Sequence, residues 1–185
     1  MNKITEAFQT IDREQFLPPH LRGQADIDAP LPIGYGQTNS QPTTVRIMLE
    51  WLDPQPGDKI LDVGSGSGWT TALLSYLVGP QGKVYAVERV PRLVEFGFAN
   101  VKRAGIANAE FFQAGSMFGL PQHAPYDRIL VSATAKKLPQ ELIDQLKPSG
   151  KLVMPVGSTI YEITRTKDGI DTVPHPGFAF VPLIK

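Results

Sequence analysis

Lys59-Ile-Leu-Asp-Val-Gly-Ser-Gly-Ser-Gly-Trp69 constrains this chain more than any other stretch. It reads as a short buried strand over 59–63, a glycine turn, and a helix over 69–78. Gly64, Gly66 and Gly68 alternate, leaving a backbone without Cβ atoms that a ligand can approach. The helix that follows directs its unpaired N–H groups toward the same space. Asp62 precedes the turn, and Glu88 ends the next expected strand, 83–88, 20 residues after Gly68. A carboxylate there holds ribose hydroxyls in nucleotide folds. The unit therefore predicts a nucleoside cofactor at the C-terminal end of a parallel sheet. The plainer alternatives are packing glycines and a solvated strand-end carboxylate.

The rest of the chain alternates in the same way. An amphipathic helix is expected over 2–11, followed by irregular chain over 20–39 broken by Pro30, Pro32, Gly34 and Gly36. Its mixture of apolar residues and prolines predicts an ordered cover rather than a tail. Helices are expected over 41–52, 91–104 and 138–145, and strands over 109–113, 126–132 and 151–156. Two last strands, 159–166 and 178–183, are expected to form a hairpin about the turn 167–169. The sum is an α/β fold: a Rossmann-like three-layer sandwich with a mostly parallel seven-stranded sheet ending in an antiparallel hairpin. One domain over 1–185 is expected. Residues 1–58 would be a helical and loop cover on the substrate side, and 59–185 the cofactor-binding core.

Composition excludes several function classes. The 18 basic and 18 acidic side chains cancel, and no Lys/Arg run exceeds two residues, which opposes unspecific nucleic-acid binding. Absence of cysteine removes disulfides, thiolate metal sites and cysteine nucleophiles, and fits a reducing compartment. No signal peptide and no membrane-spanning run is read, so a cytoplasmic monomer without membrane, nucleic-acid or metal partners is expected.

The glycine spacing selects among cofactors. It is Gly-x-Gly-x-Gly after an acid, not the Gly-x-Gly-x-x-Gly of dinucleotide sites. No Gly-Lys-Ser/Thr follows, which excludes a Walker loop. Some 58 residues precede the first strand, unlike many dinucleotide folds. These points favour S-adenosylmethionine, which has no pyrophosphate for a helix end to hold. Asp62 and the amides of Gly64, Ser65, Gly66 and Gly68 would face its amino-acid portion, and Glu88, next to Arg89, its ribose.

Pro32-Ile-Gly-Tyr-Gly-Gln-Thr-Asn-Ser-Gln-Pro42, the glycine stretch, Ala124-Pro-Tyr-Asp-Arg-Ile129, residues 139–148 and Gly150-Lys-Leu-Val-Met-Pro-Val-Gly157 together resemble the protein-L-isoaspartate O-methyltransferases. The similarity is collinear from about Phe16 to Leu183, ending on Phe180-Val-Pro-Leu183. The Gly-Gln-Thr-x-Ser segment is specific to that family, whereas the glycine motif is shared by methyltransferases generally. The resemblance implies methyl transfer from S-adenosylmethionine to the free carboxylate of isoaspartyl residues in damaged proteins. It implies Ser40 as the active-site residue, with the backbone of Thr38 and Asn39 against the cofactor. The chain departs from the family in two loops. After the third strand, Ala114-Gly115-Ser116 replaces a Gly-Asp-Gly whose acid lies near the adenine amino group, leaving Gly115 and Ser116 to meet it. After the fourth strand, Thr134-Ala-Lys136 replaces Ala-Ala-Pro. These changes motivate two alternatives: a relative acting on another peptide or small-molecule carboxylate, and a catalytically weak cofactor-binding homologue.

The chemistry agrees with a carboxylate acceptor. A carboxylate with pKa near 4 is ionised at pH 7 and needs no general base to attack a sulfonium methyl. Holding it in line and excluding water suffices. None of His20, His123 and His175 lies in a motif. Ser40 has a rival reading, as a cap of the helix beginning near Gln41.

Overall fold

The computed structural model describes residues 2–184. A seven-stranded sheet organises them, in the order β5 (Ala109–Gln113), β4 (Lys83–Glu88), β3 (Lys59–Val63), β6 (Tyr126–Val131), β7 (Leu146–Val156), β8 (Thr159–Thr166), β9 (Gly169–Pro176). The first five run parallel, and β7, β8 and β9 form an antiparallel meander. The chain leaves β3 toward β4 and β5, then returns on the other side of β3 as β6. That reversal, between β3 and β6, opens a crevice at the carboxyl ends of β3, β4 and β6.

Alternation along β3 sorts its side chains between two cores. Ile60 joins a cluster with α1 (Lys3–Thr10), α2 (Pro42–Leu52), α3 (Trp69–Val78) and Val101 of α4 (Pro91–Arg103). Leu61 and Val63 join the opposite cluster, covered by α5 (Gln140–Asp144) and the chain before β6. Asp62 therefore shares the face of Ile60, beneath α3. Nine of the ten residues of α3 are buried, as a helix enclosed by sheet, α1 and α4 requires.

Helix α4 lies against the glycine turn because two glycines meet there. A Cβ on Gly68 would lie 2.9 Å from the carbonyl oxygen of Gly97, and one on Gly97 would lie 2.9 Å from that of Gly66. Gly68, at φ 84°, also needs the left-handed conformation that glycine adopts freely.

Three expectations are corrected. The return strand of the final hairpin is Gly169–Pro176, not 178–183. Pro174 and Pro176 disguise it, yet β9 is the sheet edge, where a missing N–H breaks no ladder. Residues 178–183 instead cross back to Thr134. The Thr134 amide donates to the Val181 carbonyl at 2.8 Å, and the Leu183 amide to the Thr134 carbonyl at 2.8 Å. Phe178 and Phe180 pack on the first core along this path. Residues 148–150, expected as a turn before a strand at 151, lie inside β7 as a bulge, since Tyr126 faces Leu146 while Arg128 faces Lys151. The irregular cover contains a small antiparallel hairpin of its own, β1 (Leu31–Gly34) and β2 (Gln37–Asn39).

Gly97→Ala will force α4 off the turn and cost about 1–3 kcal/mol in urea unfolding. Gly23→Ala, where an added Cβ meets nothing within 4 Å, will stay within about 0.5 kcal/mol of the parent. A Gly97→Ala protein as stable as the parent would contradict the close approach.

Candidate active site

The crevice at the strand ends is a cavity with walls from six segments. They are the end of β2 with Ser40, the glycine turn with the start of α3, Val87 to Val90 at the end of β4, the loop after β5, Ser132 and Ala133 after β6, and the returning tail at Val181 to Ile184. The structure brings Thr38, Asn39, Ser40, Gly64, Ser65, Gly66, Glu88, Arg89 and Gly115 to this wall. It does not bring Asp62, Gly68 or Ser116 there. Gly68 is occupied in packing against Gly97, and Ser116 is exposed beside Met117 and Phe118, which line the wall instead.

The glycine turn is bonded inward. The amides of Gly64 and Ser65 donate to the Val87 carbonyl at 2.8 and 3.2 Å, and that of Gly68 to the Ser65 carbonyl at 2.8 Å. The Gly66 amide donates to Glu88 Oε2 at 2.9 Å, while Glu88 Oε1 accepts the Val90 amide at 2.9 Å. Four of the five amides in 64–68 are thus engaged within the protein, contrary to the expectation that they face a ligand. A cradle for pyrophosphate needs free N–H groups, and this turn offers a Cα surface instead. Glu88 is 6% exposed, and each of its oxygens keeps a second lone-pair direction for a hydroxyl donor. Ser65 Oγ is buried without a hydrogen-bond partner, on a residue of the wall, so a polar ligand atom would satisfy it. These features fit an uncharged ribose and a cationic sulfur better than a phosphate.

Asp62 lies one layer below. Its Oδ2 accepts the hydroxyls of Thr71 at 2.6 Å and Thr70 at 2.9 Å, which ties β3 to the first turn of α3. Burial raises its pKa to about 6 despite those two bonds.

Ser40 is free of the capping role. The α2 amide of Thr43 donates to Asp28 Oδ1 at 2.9 Å, and Thr43 Oγ1 to Asp28 Oδ2 at 2.8 Å. These bonds hold the Asp28 carboxyl below the usual range. The Ser40 hydroxyl has no hydrogen bond among the described residues. Asn39, 4% exposed, is held between Arg13 and Ser67. The histidines stand elsewhere: His175 stacks on Trp51 at 3.7 Å between centroids and His123 tilts against Tyr85 at 4.7 Å.

Sequence reasoning missed Met117, Phe118 and the tail, because the tail was read as a strand and the loop after β5 was read for hydrogen bonds rather than apolar surface. It missed Arg13 as well, because Asp12-Arg13-Glu14-Gln15 reads as an ordinary polar segment.

Comparison with known proteins now bears on this geometry. The family model for protein-L-isoaspartate(D-aspartate) O-methyltransferase matches residues 1–185. The chain belongs to that family. A Methanopyrus kandleri protein-L-isoaspartate O-methyltransferase is 46% identical over 99% of this chain and 84% of its own length. An Aeropyrum pernix enzyme of the same name is 48% identical over 90% of this chain, which spans 66% of that relative. Among solved structures, a Plasmodium falciparum protein described as a beta-aspartate methyltransferase, in complex with S-adenosyl-L-homocysteine, superposes with a TM-score of 0.88 at 28% identity. The match covers 100% of this chain and 91% of that one. Seven strands, parallel except at the antiparallel end, with helices on both faces, are the architecture of this methyltransferase family.

Between its unfolded pKa near 3.8 and its folded value near 6, Asp62 holds a proton in the folded state alone. Folding is therefore favoured as pH falls through that window, and the contribution is lost as pH rises through about 6. The stability of the parent relative to Asp62→Asn will rise by roughly 2–3 kcal/mol between pH 7 and pH 4 in urea titrations. A gap constant over that range would contradict the burial of an ionisable group there.

Proposed function

We propose that this chain transfers the methyl group of S-adenosylmethionine to the free carboxylate of L-isoaspartyl residues in damaged proteins or peptides. One observation carries this reading beyond family membership. Glu88 and Arg89 are the only ionisable residues among the described residues of the cavity wall. Both Glu88 oxygens already accept backbone amides. A phenol, an amine or an amide acceptor needs a base to take its proton as the new bond forms. A carboxylate arrives ionised at neutral pH. When bound, S-adenosylmethionine supplies an activated methyl on a cationic sulfur.

The chain's own residues have three tasks. Glu88 accepts ribose hydroxyls and fixes the nucleoside. Met117, Phe118 and Leu183 exclude water with apolar surface, so the acceptor oxygen meets the methyl stripped of its hydration. Ser40 donates its hydroxyl to one acceptor oxygen, orienting the other in line with the methyl. The methyl ester so formed cyclises to a succinimide with loss of methanol, and hydrolysis of that ring partly restores aspartate. Arg89 is exposed at the rim and suits a negatively charged peptide. The zero net charge argues against nucleic acid as a partner. A monomer acting in the cytoplasm completes the reading. No helix of the described residues is long and apolar enough to cross a membrane.

Assay of methyl transfer to an isoaspartyl peptide and its aspartyl twin decides the acceptor. Turnover of the isoaspartyl form alone is expected; none, or equal turnover of both, would overturn the reading. Ser40→Ala will lower kcat about 10- to 100-fold while calorimetric affinity for S-adenosylhomocysteine holds. Undiminished turnover in that variant would remove Ser40 from the acceptor site.

A further inference from the structure

The hairpin of β1 and β2 carries Ser40 at its end, yet it belongs to a separate two-stranded sheet. A lone hairpin is marginal in water and cannot hold a position against the main sheet by its own ladder. Something must set the height of Ser40 above the glycine turn.

We propose that Arg13 is the positioning residue of the acceptor site, fixing Ser40 over the cofactor turn through Asn39 and Ser67 without touching either substrate. This role of Arg13 rests on the methyltransferase reading above.

Arg13 is 5% exposed and is not part of the cavity wall. Its guanidinium donates to five backbone carbonyls of the cover: Ala25 at 3.1 Å, Ile27 at 2.8 Å, Ala29 at 2.8 Å, Asn39 at 3.4 Å and Ser40 at 3.0 Å. Its Nε donates to Asn39 Oδ1 at 2.7 Å. Carbonyl dipoles converging on one point repel each other unless a cation lies at their focus. The planar fork of arginine can meet acceptors on several sides at once, which a lysine ammonium at the same place cannot. Burial lowers the pKa of Arg13 only to about 10, so the charge persists at neutral pH.

The chain of bonds continues into the cofactor turn. Arginine has donors only, so Asn39 must turn its oxygen to Arg13 and its Nδ2 outward. Nδ2 donates to Ser67 Oγ at 3.0 Å, and the Ser67 carbonyl accepts from Asn100 of α4 at 2.9 Å. The guanidinium also lies 5.3 Å from the centroid of the Trp69 ring, the first residue of α3. Arg13 thus joins the backbone of Ser40 to the turn that holds the nucleoside. A displacement of about 1 Å between reacting groups lowers turnover about 100-fold, so the quality of this joint bears on the rate.

The test uses the full chain carrying Arg13→Lys, with amide hydrogen exchange, calorimetry with S-adenosylhomocysteine and kinetics on an isoaspartyl peptide. Exchange should quicken in residues 25–40 and stay slow in 59–78. Turnover should fall about 100-fold, while S-adenosylhomocysteine affinity changes at most about tenfold. Parent-like exchange and kcat would overturn the proposal, as would quickened exchange throughout with affinity lost in step with turnover. If Arg13→Lys does not fold, Asn39→Leu severs the joint and leaves the carbonyl bonds of Arg13 in place. It should show the same split between turnover and affinity, and a parent-like kcat there would be equally fatal. A parent protein inactive on the isoaspartyl peptide would sink the methyltransferase reading, and the exchange result would still decide the role of Arg13.

Discussion

The bond from the Gly66 amide to the Glu88 carboxylate is the constraint around which the site is built. It ties the turn after β3 to the end of β4 and turns the polar side of that backbone inward. With Gly64 and Ser65 bonded to Val87 and Gly68 to Ser65, four of the five amides over 64–68 are engaged within the protein. A strand–turn–helix unit of this type can serve two kinds of ligand. With free amides it holds phosphates; with its amides engaged it holds a nucleoside by shape and by one carboxylate. On the proposed reading this chain takes the second course, and its chemistry follows from it. An ionised acceptor and a cationic donor need proximity and dryness, not proton transfer.

The layers around the turn serve the same end. Gly97 lets α4 approach close enough to fix the turn from behind. Asp62 fastens the first turn of α3 from below through Thr70 and Thr71, at the expense of a buried ionisable group. Above, the cover reaches the cavity through β2, and Asp28 rather than Ser40 satisfies the start of α2. The tail closes the remaining side through its two bonds to Thr134. Each support lies outside the reacting groups, which leaves Ser40 and Ser65 with hydroxyl valences unfilled by the protein.

Much of this was legible beforehand, and the failures have physical causes. Short apolar runs and flanking glycines marked β3, α3, β4 and α4, because burial on both faces leaves a near-continuous hydrophobic pattern. The two-residue period of a strand places Asp62 on the face of Ile60, under α3, so its absence from the cavity wall was readable from Ile60 and Leu61. The strand β9 was not, since an edge strand with two prolines has almost no apolar signature. The inward bonding of the turn was not legible either: glycine spacing reports where backbone can approach, not which way its amides point. Ser40 was singled out through its motif and lines the cavity, but Arg13 lies 27 residues away in sequence and is joined to it by backbone carbonyls, which carry no sequence signal.

A crystal structure of the chain with S-adenosylhomocysteine tests the central claim most directly. The nucleoside should lie against the Cα surface of Gly64 and Gly66, with its ribose hydroxyls about 2.7 Å from the Glu88 oxygens and the Gly66 amide still on Glu88. Residues 37–40 should cover its sulfur. A nucleoside bound away from Glu88, or one whose carboxylate displaces Glu88 from the Gly66 amide, would contradict the account.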